Sequence, residues 1–283
     1  MCEKFEGFVY IKIDNPMAAW NVVRSAFYSP SCLPQSERAG ALSFGMADLL
    51  KNENVARAMA EFQLDEFRRK HFPDTVSRLS GIFLFDDVCS AVKVCNNDEW
   101  SGHFNSEYLT DVGVVANRSS RVDATWITLM RNEENILVDG WEVMAESYWS
   151  GMPANNEPIW ERIIDGYVTV WGGDLKNRAL SEVQKFWPQS LPLLAIAANS
   201  AILGSCDGAI IPYATWNGGN IEIRYYLRMV DALDIEFCKR LKHFLETDDG
   251  MVCRLGPVNN PLILPDFSCY NFERRIGGNS FIW

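Results

Sequence analysis

The chain has 283 residues, with 48% hydrophobic and 22% charged side chains, a balance that supports a folded core and excludes an intrinsically disordered chain. Lys+Arg number 26 and Asp+Glu 37, so the net charge is −11. All of that excess lies in residues 1–175, while residues 176–283 are balanced, and the contrast suggests two domains with different surfaces. No basic stripe runs along the chain, which argues against tight non-specific binding to nucleic acid, because such binding rests on neutralising phosphates.

Gly7–Ile13 alternates like a short strand. Asn15-Pro16 opens a helix expected to run to about Phe27, with Asn15 as cap and Pro16 where its missing N–H costs nothing. Tyr28–Gly40 is a loop. Residues 46–71 read as helix broken near Asn52-Glu53-Asn54, with an apolar stripe of Val55, Met59 and Phe62. Pro73 stops it. Ser80–Phe85 is a dense apolar strand, and Asp86-Asp87 can cap a helix through Val94. Tyr108–Val115 and Ala124–Met130 read as strands, Asp139–Trp149 as a helix. Arg162–Val170 reads as a hairpin turning at Asp165-Gly166. Trp171-Gly172-Gly173-Asp174 looks like a domain boundary. Beyond it come a buried helix over Leu193–Leu203, a hairpin joined by Asn217-Gly218-Gly219-Asn220, and a helix over Asp231–Glu246. The tail from Gly256 ends in Phe281-Ile282-Trp283, either a docking element or a segment packed on its own domain.

The eight cysteines form no C-x-x-C pair, and no apolar leader precedes them, so we expect reduced thiols in the cytoplasm, or delivery to a host cell without a Sec signal. The stretch Phe186–Cys206 holds too many polar residues and prolines for a membrane span. Dinucleotide, phosphate-loop and nucleophile-elbow signatures are missing. His71, His103 and His243 form no metal-binding pattern, so no metal site is expected.

Three segments carry candidate chemistry. In Phe72–Phe85, Ser77-Arg78 precedes a strand; an arginine there either reaches a phosphate or carboxylate with its fork or simply sits at the surface. In Glu146–Gly151, Tyr148-Trp149 either walls a planar ring or packs in the core. In Glu157–Gly166, Glu161 opens an apolar strand, either facing charge that develops on a substrate or lying solvated at a strand end. Glu157 and Glu161 could also form a glycosidase-like acid/base pair, but Pro158 opposes it.

Taken in order, Phe72 to Phe85, Tyr148-Trp149-Ser150-Gly151 and Glu161 to Val170 resemble a bacterial branch of the ADP-ribosyltransferase-like superfamily, over roughly residues 8–172. The resemblance implies an α+β fold: a split β-sheet domain over residues 1–175 that binds NAD as substrate; residues 176–283, outside the resemblance, are expected to form a smaller α+β region for target or partner recognition. It implies cleavage of the nicotinamide–ribose bond and transfer of ADP-ribose to a macromolecular acceptor, in the manner of a toxin or effector; the −11 of residues 1–175 suits a basic protein surface better than a nucleic acid, which stays the alternative acceptor. It gives Glu161 the catalytic position, Ser77 and Arg78 the ribose or pyrophosphate, and Phe83, Tyr148 and Trp149 the nicotinamide. Two departures stand out. The first strand offers Tyr10 and Lys12, with Arg24 later, where many members have histidine or arginine, and position 159 is Ile where arginine-modifying members carry glutamate. An NAD glycohydrolase and a non-catalytic interaction protein on the same fold are the alternatives.

Overall fold

A computed structural model describes residues 2–52, 55–96, 104–247 and 261–276. His103, Cys253, Glu53-Asn54 and Phe281-Ile282-Trp283 lie outside the described residues. The fold is α+β with antiparallel sheets.

Strand β1 (Glu3–Tyr10) leads into helix α1 (Pro16–Val23). The Asn15 side chain accepts from the Met17 amide and caps α1. The helix ends four residues short of Phe27. Ser25 adopts a positive φ of 74° and turns the chain into strand β2 (Ala26–Tyr28). Helices α2 (Phe44–Asn52) and α3 (Val55–His71) follow. Strand β3 (Ile82–Leu84) and helix α4 (Val88–Cys95), capped by Asp87, lead to the long strand β4 (Leu109–Asp123).

Two local expectations are corrected after β4. Ala124–Met130 is not a strand: Asp123 accepts from the Thr125 amide, and the chain turns into the short helix α5 (Thr125–Leu129). Helix α6 (Trp141–Trp149) follows. Arg162–Val170 is not a hairpin but part of one strand, β5 (Trp160–Val170). Asp165-Gly166 has a different purpose there. Opposite it, β4 bulges between Ala116 and Arg118, Asp165 pairs with Arg118, and a Cβ on Gly166 would lie 2.1 Å from the Val115 carbonyl oxygen. Glycine admits the close approach of two backbones, not a reversal.

The first sheet has the order β1-β4-β5-β2, all antiparallel, with β3 also on β5. One edge of β5 is thus shared: β2 pairs with residues 167–169 and β3 with residues 162–164. Backbone bonds between Phe8 and Phe85 (2.9 and 2.8 Å) join β1 to the end of β3, so the sheet curls back on itself.

Helices α7 (Gly173–Phe186) and α8 (Leu191–Ile202) come next, then the hairpin β6 (Ile210–Asn217) and β7 (Asn220–Leu227), turning at Gly218 and Gly219 with φ of 59° and 88°. Helix α9 (Ile235–Leu245) and strand β8 (Phe272–Arg275), which pairs with β7, complete the described chain. Among the described residues no helix is long and apolar enough to cross a membrane.

One apolar core crosses residue 175. It joins Trp20, Val112 and Val168 to Leu175, Val183, Leu193, Ile221 and Ile223. Polar contacts reinforce the junction: Trp20 Nε1 donates to the Gly208 carbonyl at 2.8 Å, and the Asn21 amide exchanges two bonds with the Ile210 backbone.

Candidate functional site

Register places the candidates. Glu161 and Ile163 lie two apart and share a face of β5. Phe83 of β3 pairs with Ile163, and Ser120 and Val122 of β4 lie opposite Ile163 and Glu161. The Ser120 hydroxyl oxygen accepts from the Val76 amide at 2.8 Å, which fastens the segment before β3 to this face.

Helix α3 covers it. Arg57, Glu61, Asp65 and Arg68 are spaced four, four and three, so they share one side of the helix. All four are buried, Glu61 completely. Phe62, of the apolar stripe, is buried in the main core, with Val55 and Met59 packed against it. The helix therefore has two inward sides, one apolar and one charged. The charged side grips Ser77-Arg78. Ser77 Oγ donates to Asp65 Oδ1 at 2.6 Å, and Arg68 Nε donates to the same oxygen at 2.8 Å. Arg78 gives Nε and Nη2 to the two oxygens of Glu61 at 2.8 and 3.2 Å. Arg57 Nη2 holds Glu61 from one turn earlier, at 2.8 Å.

The remaining corner of the guanidinium meets the other two segments. Arg78 Nη1 donates to Glu161 Oε1 at 2.8 Å and to the Tyr148 hydroxyl at 2.5 Å. That hydroxyl donates in turn to Glu161 Oε1 at 2.9 Å. Glu161 is only 7% exposed, so it is not a solvated strand end. Arg78, Tyr148 and Glu161 therefore converge from three segments, while the Ser77 hydroxyl turns to Asp65.

The aromatic candidates take different positions. Tyr148 and Trp149 are buried, their rings 4.8 Å apart and edge to face. Both belong to one apolar cluster with Ile163, against which the half-buried Phe83 packs. Tyr148 meets Glu161 with its hydroxyl, and the Phe83 ring lies 4.8 Å from Arg78 Cζ. Trp149 Nε1 is a buried donor without a partner among the described residues. Glu157 is exposed in the turn before β5 and takes no part in the cluster. Of the first-strand alternatives, Tyr10 bonds the Ala91 carbonyl, and Arg24 is buried against the Asp207 and Ser205 carbonyls.

The electrostatics favour an ionised Glu61, an ionised Arg78 and a protonated Tyr148 at neutral pH. Burial opposes the charge on Glu61, but Arg78 and Arg57 outweigh it and hold the carboxyl at about 2. Burial likewise opposes the charge on Arg78, and Glu61, Tyr148 and Glu161 overcome it, raising Arg78 well above its usual value. Burial, with Glu161 adding to it, raises Tyr148 well above the ordinary phenol, so its hydroxyl keeps the proton that it donates.

Sequence reasoning missed Glu61, Arg57 and Asp65. Their signal was the four-residue spacing of charges along α3, a pattern that a solvated helix face shows equally well.

Two cavities stand out elsewhere. One of about 50 Å³ lies between α8 and α9 against Leu193, Phe237 and Leu241. An open groove of about 570 Å³ passes Phe5, Asp86 and Arg162. Arg162 is next to Glu161 in β5, so its side chain leaves the opposite face. Neither cavity is lined by the Arg78 cluster, which we take as the site because a fixed carboxylate, a cation and a phenol meet there. Among the described residues no group of three metal-ligating side chains could hold an ion. Such a set can present a negative charge of fixed orientation to a ligand.

No curated protein matches the chain. A family model described as "Protein of unknown function (DUF2441)" matches residues 34–178, just over half of the length and inclusive of Glu61, Arg78, Tyr148 and Glu161. The chain belongs to the DUF2441 family.

Proposed function

We propose that the protein is an NAD-dependent ADP-ribosyltransferase with Glu161 as its catalytic carboxylate. One observation carries the reading: the S-R, Y-W and strand-glutamate segments of the resemblance meet at Glu161 Oε1. The shared edge of β5, split between β2 and β3, suits the split sheet that the resemblance implies.

The residues fit the ribose end of NAD better than its pyrophosphate end. Glu161 Oε1 receives both hydrogen bonds, and Oε2 accepts none among the described residues. Arg78 uses four of its five N–H donors within the cluster, and Ser77 donates to Asp65. In this reading Arg78 and Tyr148 orient Glu161, and Phe83 is the half-buried ring against the Arg78 guanidinium. Bound NAD supplies an ADP-ribosyl group whose leaving group, nicotinamide, departs neutral. Glu161 places a fixed negative charge where positive charge develops on the ribose. Little acid catalysis is needed, which accords with a cluster that holds no histidine among the described residues. The acceptor is proposed to be a basic protein surface, since residues 1–175 carry the whole −11, and the setting the cytoplasm of the producing or a host cell.

Ser77 is engaged with Asp65, and Arg78 with Glu61 and Tyr148, and this prior engagement favours the second reading, a non-catalytic binding protein. One assay decides. Nicotinamide release from NAD, with and without cell lysate as a source of acceptors, is measured for the wild type and Glu161→Gln. Release that Glu161→Gln abolishes supports the transferase; no release by the wild type under any condition supports the binder. Release without label entering a macromolecule identifies a glycohydrolase.

A further inference from the structure

We propose that Glu61 is a positioning residue for Glu161, acting through Arg78, and that it determines which carboxylate oxygen Glu161 offers to the ribose. The inference rests on the ADP-ribosyl-transfer reading. Glu61 is fully buried on α3 and takes two N–H groups of Arg78 in a planar fork. A fork fixes the guanidinium plane, where a single bond would let it rotate. Arg57 braces Glu61 from behind. With its Nε edge committed, Arg78 presents Nη1 alone, and Glu161 Oε1 and the Tyr148 hydroxyl converge on it.

The consequence falls on Glu161. Arg78 reaches it with one nitrogen, so both hydrogen bonds land on Oε1 and Oε2 is left to a ligand. Without the Glu61 charge, Arg78 would be free to turn its fork onto Glu161 and engage both oxygens, the geometry that arginine and carboxylate prefer. Glu61 thus works by competition: it occupies one edge of Arg78 and protects the reactive oxygen of Glu161. Four buried charges are an inefficient way to gain stability alone, since apolar packing often does as well.

The test uses the full-length protein. Steady-state nicotinamide release is measured for wild type, Glu61→Gln, Glu61→Asp and, as a control on the exposed side of α3, Glu66→Gln. A displaced catalytic group costs about 100-fold in rate, and that loss is expected in kcat for Glu61→Gln. KM for NAD is expected to stay within about twofold, because substrate binding is not what is removed. Glu61→Asp, which keeps the charge, is expected to regain about tenfold of the loss, a rescue that general destabilisation would not give. Wild-type kcat in Glu61→Gln overturns the inference, and so does an aspartate variant as slow as the glutamine one; loss of activity in Glu161→Gln leaves the transferase reading intact in either case. If the glutamine variant does not fold, the aspartate variant decides: reduced kcat at wild-type KM supports the inference and unchanged kcat overturns it. If the wild type releases no nicotinamide, the transferase reading fails, and crystal structures of the Glu61 variants decide the positioning claim. Arg78 engaging both oxygens of Glu161 supports it, and an unchanged contact through Oε1 alone overturns it.

Discussion

Arg78 Nη1 donates to Glu161 Oε1 at 2.8 Å, joining residues 83 positions apart in a region where both side chains are almost completely buried. The pair links the segment before β3 to the start of β5, and neither partner can be changed without consequence for the other. The first prediction follows from the carboxylate. Glu161→Gln keeps the shape and loses the charge, so nicotinamide release should fall about 100- to 1,000-fold if that charge stabilises the transition state. Arg78 retains Glu61, so the fold should lose only ~1–3 kcal/mol, as for one impaired buried hydrogen bond. Release kinetics and urea denaturation measure the two effects separately.

The cation is the more vulnerable partner. Arg78→Met leaves Glu61 buried with its ion pair to Arg57, and Glu161 buried with the Tyr148 hydroxyl but, among the described residues, no ion-pair partner. Breaking a buried ion pair from one side costs about 3–5 kcal/mol, far more than an exposed pair. Lys70→Met, which removes the exposed pair with Glu66, should cost less than about 1 kcal/mol. Equal urea midpoints for the two variants would contradict the buried network.

Acid should weaken the fold through Glu61. Its folded-state value is about 2, below the ordinary carboxylate value of the unfolded chain. A depressed value means that the unfolded chain takes up the proton first. The stabilisation is fully present above about pH 4.5 and is lost as the pH falls toward 2. The shift corresponds to on the order of 3 kcal/mol. Stability measured by urea denaturation should fall more steeply with acid in the wild type than in Glu61→Gln, and the two curves should approach each other near pH 2. Parallel curves would show that Glu61 is not held ionised by the arginines.

The elements that could be read from the sequence are those whose signals are local. Asn15-Pro16 opens α1, Asp87 caps α4, and Gly218-Gly219 turns the second hairpin, each through the chemistry of neighbouring residues. The site was legible in part for the same reason, since Ser77, Arg78, Tyr148 and Glu161 lie within short patterns. Their mutual contacts were not legible, because they depend on β-sheet register and on α3. A charged row at helical spacing reads as a wet surface until its partners are known, and the partners of Glu61 and Asp65 lie 17 and 12 residues away. Asp165-Gly166 misled for a related reason: the same dipeptide serves a turn or a bulge, and the bulge sits on a different strand.

Gly166 provides a test of that strand pairing. A methyl group there would meet the Val115 carbonyl oxygen at 2.1 Å, and the obstacle is backbone, not a movable side chain. Gly166→Ala should therefore destabilise the protein by ~1–3 kcal/mol through overpacking. A hairpin turn at Asp165-Gly166 would leave room for the methyl group. Thermal unfolding separates the two geometries, and a melting temperature unchanged by the substitution would exclude the continuous β5.

The junction across residue 175 can be tested through Asn21. Its side-chain amide donates to the Ile210 carbonyl and accepts from the Ile210 amide, at 2.9 and 3.0 Å, so α1 completes the backbone bonding of β6. Asn21→Ala leaves a buried donor and a buried acceptor without partners, at a cost of about 1–3 kcal/mol for each. Because Trp20 and Leu193 share one core, that loss should lower the stability of the whole chain. Trp20 and Trp187 lie on the two sides of residue 175, with rings 6.2 Å apart. Tryptophan fluorescence and far-ultraviolet circular dichroism should then report one coincident transition, moved to lower urea in the variant. Two separated transitions, with only the later one moved, would mean that residues before and after 175 fold independently in spite of the shared core.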